Sequence, residues 1–305
     1  MVVTGRYPSR VVKHENLIPT SDGAGEVAAV GEGVKRWALG DRVSPNFSTA
    51  HIRGDVPSDE EILSGLGGAQ DGMLAQYRTL PESSLVRIPD YLSYEEASTL
   101  PCAALTAYNA LFGLAGTPLK AGETAVLEGT GGVSVFGAQI ALAAGAVAVI
   151  TSSSDEKLAI VKKSIPQEHQ SRLHLHNYSK DPDWAKAVKS VSGGIGAARV
   201  LDVGGSGTIT KAFESVRPGG VVSAIGIIAK GSAEGDLGTL IRNSRGIYAG
   251  IIVGSRELFE EMNRLFEAHQ IKPLIDRVFP FDQAVQAYQH LESQKHVGKI
   301  VIRVA

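Results

Sequence analysis

The chain is short of cysteine, of net charge and of long apolar runs, and each shortage narrows what it can be. Cys102 is the single cysteine among 305 residues, which excludes an internal disulfide and any four-cysteine metal lobe. Thirty Lys and Arg nearly balance 32 Asp and Glu, a net charge of −2. No electrostatic case exists for nucleic acid or for a membrane surface as partner. No stretch reaches the about 18 uninterrupted apolar residues of a membrane span. The opening MVVTGRYPSR lacks the charged start and apolar core of a secretory leader. These readings together point to a cytoplasmic protein. No Ser-His-Asp or paired-carboxylate pattern is legible either, so hydrolase chemistry has no support.

What the chain has in quantity is glycine, 35 residues, gathered in the second half at the ends of apolar runs. That pattern marks tight strand-to-helix turns. From about residue 100 onward strands and helices alternate. Short continuous apolar runs predict strands at 123–128, 147–151, 172–177, 198–203, 221–226 and 246–252. Helices are predicted at 132–144, 155–164, 183–191, 208–216, 236–243 and 255–269. Such strands suit a parallel sheet covered on both faces, and the repetition predicts a doubly wound α/β (Rossmann) domain. The first hundred residues read as irregular β structure, with a strand through Val27, Ala29 and Val30 before GEG. PSDEE reads as a solvated charged turn, and RPGG (217–220) as a turn ahead of a buried strand.

The stretch VLEGTGGVSVFG places Gly129, Thr130, Gly131, Gly132, Val133 and Ser134 between the first strand of this domain and its helix. Unpaired N–H groups at a helix start, with no Cβ in the way, suit a diphosphate, so this turn is the candidate dinucleotide site; the alternative is a purely structural turn. Ser134 stands where the fingerprint has its third glycine, a position that governs helix–strand packing. About 20 residues on, an acidic residue would hold the ribose hydroxyls and repel a 2′-phosphate. Here stand Ser152, Ser153 and Ser154, with Lys157 one turn later. Hydroxyls and an ammonium suit a phosphate dianion, which favours NADP(H). The same serines fit a helix cap, Ser153 and Glu156 having capping-box spacing, and the two roles are compatible.

Beyond this turn the sequence carries GRYP (5–8), SDGAGEVAAVGEGV (21–34), GDRV (40–43), LPCAALTAYNAL (100–111), VGSRELFEEMNR (253–264) and HVGKIVIRV (296–304). With GTGGVS as an ordered set, the chain resembles the medium-chain dehydrogenase/reductase superfamily, and within it the zinc-free, quinone-oxidoreductase-like branch. The resemblance implies a GroES-like β-barrel substrate domain from 1–102 and 269–305, with a Rossmann NADP(H) domain from 103–268 between. It implies an oxidoreductase that passes hydride to a quinone or an α,β-unsaturated carbonyl. Thr106, Gly226 and Val253 match contacts to the nicotinamide end, and Tyr178 matches a tyrosine near the 2′-phosphate; composition alone leaves Tyr178 an ordinary half-buried aromatic. Tyr7 matches a phenol that faces the nicotinamide, against the simpler reading that it packs beside Pro8. Asp22 and Asn46 would line the cleft.

Zinc-dependent relatives hold their metal through a Cys, a His and a later Cys. Here the His position is Asp22, the later Cys is Cys102, and the first Cys would lie ahead of Met1, so no three-ligand site is expected. Cys102 then reads as a small buried residue. His169, His174 and His176 read as solvated histidines at a strand edge rather than a metal site. The first barrel strands of the resemblance would also precede Met1, which leaves an NADPH-binding protein with impaired catalysis as an alternative. A further alternative is an alcohol or aldehyde dehydrogenase of the same superfamily. Short-chain dehydrogenases need a Lys four residues after a Tyr, a pairing absent here. The apolar run 246–254 would form a sheet edge through which two copies pair into a homodimer.

Overall fold

β4 (Thr124–Glu128) is buried at all five residues and β7 (Ala197–Asp202) at all six. These two strands form the centre of the molecule's larger sheet. The computed structural model describes residues 16–114, 117–229 and 235–304. They fall into two compact units, Met1–Leu105 with Val253–Ala305, and Thr106–Ile252.

In chain order, the first unit begins with an antiparallel sheet of β1 (Gly25–Glu26), β2 (Arg42–Pro45) and β3 (Leu85–Arg87). Val27, Trp37 and Val43 form its small buried cluster. Helices α1 (Asp59–Ile62) and α2 (Tyr94–Ala97) each carry a complete capping box, Ser58 with Glu61 and Ser93 with Glu96. A helical stretch follows, in which α3 (Leu105–Tyr108) is flanked by π-helical turns Leu100–Ala104 and Asn109–Gly113.

The second unit alternates β4, α4 (Gly132–Ala143), β5 (Val147–Ser152), α5 (Asp155–Ser164), β6 (Leu173–Asn177), α6 (Trp184–Val191), β7, α7 (Ile209–Ser215), β8 (Val216–Ala224), α8 (Leu237–Ser244) and β9 (Ile247–Gly250). All six strands are parallel, in the order β6-β5-β4-β7-β8-β9. This is the doubly wound order, and its direction reverses between β4 and β7. α6 and α7 cover one face through Trp184, Val188, Ala212 and Phe213, packed on Val126, Val149, Val200 and Val222. Each fully buried Val or Phe there contributes about 1.5–3 kcal/mol of transfer free energy. α4 is buried nearly all round. Its close approach to the sheet depends on Gly137, where a Cβ would lie 2.6 Å from Leu127 Cδ1 and 3.2 Å from Leu201 Cδ2.

The chain then returns to the first unit through α9 (Arg256–His269), β10 (Ile275–Pro280), α10 (Ala284–Glu292) and β11 (Lys299–Arg303), with β10 and β11 pairing in parallel.

The predicted strands and helices of the second unit reappear within a few residues of their expected ends. Four local readings differ. Residues 27–30 form no strand, because β1 stops at Glu26 and Val27 N–H turns to Asp41 O. The acidic turn at 59–62 is a helix, because Ser58 and Glu61 satisfy its first N–H groups. RPGG lies inside β8, which absorbs it through a register shift against Ala197 and Arg199, with Gly219 at φ 71°. α9 belongs to the first unit rather than the second. Asn263 Nδ2 donates to Arg87 O at 3.0 Å, Tyr91 donates to Phe266 O at 2.9 Å, and Arg36 pairs with Glu260 at 2.7 Å. The boundaries therefore fall at 105/106 and 252/253 instead of 102/103 and 268/269.

Candidate functional site

The reversal of strand order opens the C-terminal ends of β4 and β7, and the glycine turn lies there. Gly129 has φ 80°, a left-handed conformation that glycine adopts without strain, and its N–H is held by Thr151 O at 2.8 Å. Gly131 is the N-cap of α4 and offers no side chain to its first N–H groups. A Cβ built on Gly129 or Gly131 would meet nothing within 4 Å. Open space above helix-start amides that have no partner within the helix, at a switch point, is a cradle of the right polarity for a diphosphate. Thr130 is buried. Ser134 is buried as well and donates to Glu128 O at 2.6 Å, so its hydroxyl ties the loop to the strand it leaves. The close packing that the third glycine would give falls to Gly137.

The second strand's exit forms the next corner. Ser152 is buried and its Oγ accepts the Ser154 N–H at 3.3 Å. Ser154, and not Ser153, caps α5 by accepting the Lys157 N–H at 3.3 Å; the helix starts at Asp155, so the expected box between Ser153 and Glu156 does not form. Ser153 is left exposed and Lys157 half-buried. Tyr178, exposed at 42%, follows β6, its N–H on Ser152 O at 3.0 Å. Three residues that sequence reading missed complete the corner. Asp155 Oδ1 accepts from Asn177 Nδ2 at 2.7 Å, and its Oδ2 pairs with Lys180. Lys180 first, and Asn177 after it, hold the Asp155 carboxyl below the usual carboxylate range. Lys180 lies only two residues beyond Tyr178, a spacing that could have drawn attention to it.

At the third corner, Gly226 N–H donates to Asp202 O at 3.2 Å, and a Cβ there would lie 2.5 Å from Val203 O. Thr106 is buried at the start of the second unit, and Val253, with φ 49°, is buried where the first unit resumes.

Within the first unit, Asp22 Oδ1 accepts from Ser21 Oγ at 3.0 Å and its Oδ2 pairs with Lys299 at 2.7 Å. Burial works against the Lys299 ammonium, but Asp22 and the Cys102 sulfur outweigh it and its pKa is raised. Sequence reading missed Lys299, although GKIVIRV was in view. Cys102 is partly exposed rather than buried. Asn46 is fully buried and gives its amide to Ser48 O, His51 O and Gly254 O at 3.0, 3.2 and 3.3 Å, so it fastens the fold instead of lining a cleft. Tyr7 lies outside the described residues. Among the described residues no group of three His, Cys, Asp or Glu could hold a metal ion. Asp22 is already neutralised by an ammonium, so this set does not fit a catalytic Zn²⁺, which needs three protein ligands. His174 and His176 share one strand, and His176 Nε2 meets Asp181 O at 2.7 Å.

Known proteins match the whole chain. The alcohol dehydrogenase GroES-like domain matches residues 1–90, and the zinc-binding dehydrogenase family matches 173–302. A zinc-type alcohol dehydrogenase-like protein of Schizosaccharomyces pombe is 42% identical over 307 residues, covering 100% of this chain and 86% of its own. The crystal structure of a putative alcohol dehydrogenase from Sinorhizobium meliloti 1021 superposes with a TM-score of 0.86 at 34% identity, covering 97% of this chain and 84% of that one. The quinone oxidoreductase of Pseudomonas syringae pv. tomato DC3000 gives a TM-score of 0.74 at 26% identity, over 98% of this chain and 85% of that one.

Proposed function

We propose, from the premise that the chain belongs to the medium-chain dehydrogenase/reductase superfamily and is an oxidoreductase of it, that it is an NADP(H)-dependent, zinc-independent reductase of quinones or α,β-unsaturated carbonyls. The observation that carries the reading is the open glycine cradle at 129–132, where the strand order reverses. Bound there, the reduced coenzyme supplies a hydride; the protein supplies position and polarity. The amides of residues 131–133 hold the diphosphate. The exposed Ser153 hydroxyl, Lys157, Lys180 and the Tyr178 ring receive the 2′-phosphate, and Asp155, tied up by Lys180 and Asn177, does not repel it. Thr106, Gly226 and Val253 serve the nicotinamide end.

In the first unit, Tyr7 remains the proposed phenol donor to the acceptor oxygen. The Lys299 ammonium, oriented by Asp22, adds the fixed positive charge that an enolate or hydroquinone oxygen requires. That charge takes the place of a metal in the proposal. It also separates this reading from an alcohol dehydrogenase, which needs a stronger electrophile on its carbonyl. The similarity to a quinone oxidoreductase supports the acceptor class. β9 is the outer strand of the sheet, with Ile247 44% and Tyr248 36% exposed, and in this proposal two such edges pair into a homodimer held in the cytoplasm.

One experiment tests the reading. Oxidation of NADPH and NADH is followed with a panel of quinones, enones and aldehydes, on a preparation whose mass is checked by sedimentation. Turnover with quinones or enones, a preference for NADPH and a dimeric mass are expected. Ser153→Asp with Lys157→Ala is expected to cost NADPH about 10–100-fold in affinity, the loss of about two charge-assisted contacts, while NADH binding holds. An unchanged preference contradicts the 2′-phosphate corner; aldehyde reduction alone contradicts the acceptor class.

A further inference from the structure

Glu128 closes β4 just before the glycine loop, and Asp202 closes the neighbouring β7. Their relative exposures are 5% and 0%. Asp202 Oδ1 accepts the Gly204 N–H at 3.1 Å, the Gly205 N–H at 2.8 Å and the Thr208 hydroxyl at 2.6 Å. Glu128 Oε2 reaches the same Gly204 N–H at 3.3 Å. Glu128 Oε1 and Asp202 Oδ2 are left buried without a hydrogen-bond partner. Two ionised carboxylates crowding one amide away from water are unstable, whereas a single proton held by the pair relieves the repulsion and gives a buried oxygen a partner. Asp202 already accepts three donors and Glu128 a single shared one, so the proton resides on Glu128. Burial pushes the Glu128 carboxyl well above the usual carboxylate range, and the Asp202 charge adds to this.

We propose that Glu128 and Asp202 share a single proton beneath the phosphate loop and that dinucleotide binding depends on its retention. The inference rests on the dinucleotide reading of the cradle. Residue 128 is covalently joined to Gly129. A second negative charge there would compete with the diphosphate for the same amide dipoles. By linkage, a bound diphosphate favours the protonated pair, so the complex takes up a proton wherever the free protein has lost it.

Among the described residues, the contacts of the neighbouring elements supply no opposing cation. The turn after β7 contributes the Gly204 N–H and the Thr208 hydroxyl, and the turn after β8 gives the Ile225 and Gly226 N–H groups to Asp202 O. α4 gives the Ser134 hydroxyl to Glu128 O, and β5 places Thr151 in register with Glu128. On β9 the Tyr248 phenol, raised by its own burial, lies within the field of Asp202.

The sign of the stability effect follows. The folded pKa of Glu128 lies above its unfolded value, so the folded chain keeps a proton that the unfolded chain releases. Stability is therefore highest below the unfolded pKa and falls as pH rises towards the folded one.

NADPH affinity is measured calorimetrically between pH 5 and 9, a window of about four units that lies above the unfolded carboxyl value, for the wild type and for Glu128→Gln, in buffers of differing ionisation enthalpy. The ratio of the two Kd values cancels the coenzyme's own titration. The wild-type Kd is expected to rise, relative to the variant, by up to about tenfold per pH unit above the pair's pKa, with uptake approaching one proton in the wild type alone. Superimposable profiles overturn the dependence of binding on that proton. Urea unfolding without coenzyme gives an independent readout: the wild-type folding constant should fall relative to Glu128→Gln by up to about tenfold per pH unit, and parallel curves overturn the shared proton. A wild type that binds no dinucleotide, yet shows the stability slope, overturns the coupling and the proposed function while the shared proton stands. A wild type that binds with a flat profile overturns the coupling alone.

Discussion

Gly131→Asp is expected to abolish NADPH binding at working concentrations while leaving the fold as stable as before or more so. Gly131 has φ −76° and ψ 178°, a conformation open to any residue, and a side chain there meets nothing within 4 Å. It is also the N-cap of α4, which has no side-chain cap. An aspartate at an N-cap accepts hydrogen bonds from the first-turn amides and is worth about a few tenths of a kcal/mol more than glycine there. The same bonds remove the donors that a diphosphate needs, and the carboxylate adds a like charge beside it. An affinity loss of at least about 100-fold, about 2.7 kcal/mol, is expected by titration. Gly131→Asn competes for the amides without the charge and should fall between. Retained NADPH affinity in Gly131→Asp would mean that the ligand lies elsewhere.

Asp202→Ala carries the largest expected stability loss. It strips an acceptor from the buried Gly204 N–H, which keeps only the longer bond to Glu128, and from the half-buried Gly205 N–H and Thr208 hydroxyl, at 3.1, 2.8 and 2.6 Å. An unsatisfied buried donor costs about 1–3 kcal/mol; relief of the contact with Glu128 offsets part, leaving about 3 kcal/mol. The chain has two tryptophans. Trp37 lies in the small cluster of the first unit and Trp184 in the core of the second. In a Trp37→Phe background the remaining indole reports the second unit, and its urea midpoint is the measurement. Asp202→Asn keeps one acceptor and should lose markedly less. Equal losses in the two variants, or a loss below about 1 kcal/mol in Asp202→Ala, would contradict this account of the turn.

The second unit was legible because its signals are local and repeated. Runs such as AVLE and AARVLD are buried on both faces, and each ends in a turn that needs glycine or a capping side chain. The first unit was less legible, since its strands are two to four residues long in β1–β3 and its partners are distant in sequence. Nothing local indicates that Asn263 reaches Arg87 O, so α9 was assigned to the wrong unit. The cradle could be read from GTGGVS because glycine spacing encodes it. The Lys180–Asp155 and Lys299–Asp22 pairs could not, because β5 and β6, or residues 22 and 299, must first be brought together. The Glu128–Asp202 pair is of the same kind: two carboxylates 74 residues apart that strand order makes neighbours.

The central claim is that helix-start amides at the β4–β7 switch point grip a nicotinamide dinucleotide by its diphosphate. A crystal structure of the full chain soaked with NADPH tests it most directly. The diphosphate oxygens are expected on the N–H groups of residues 131–133, with the 2′-phosphate beside Ser153 and Lys180. A coenzyme bound away from that turn, or a turn left empty at saturating NADPH, would contradict it.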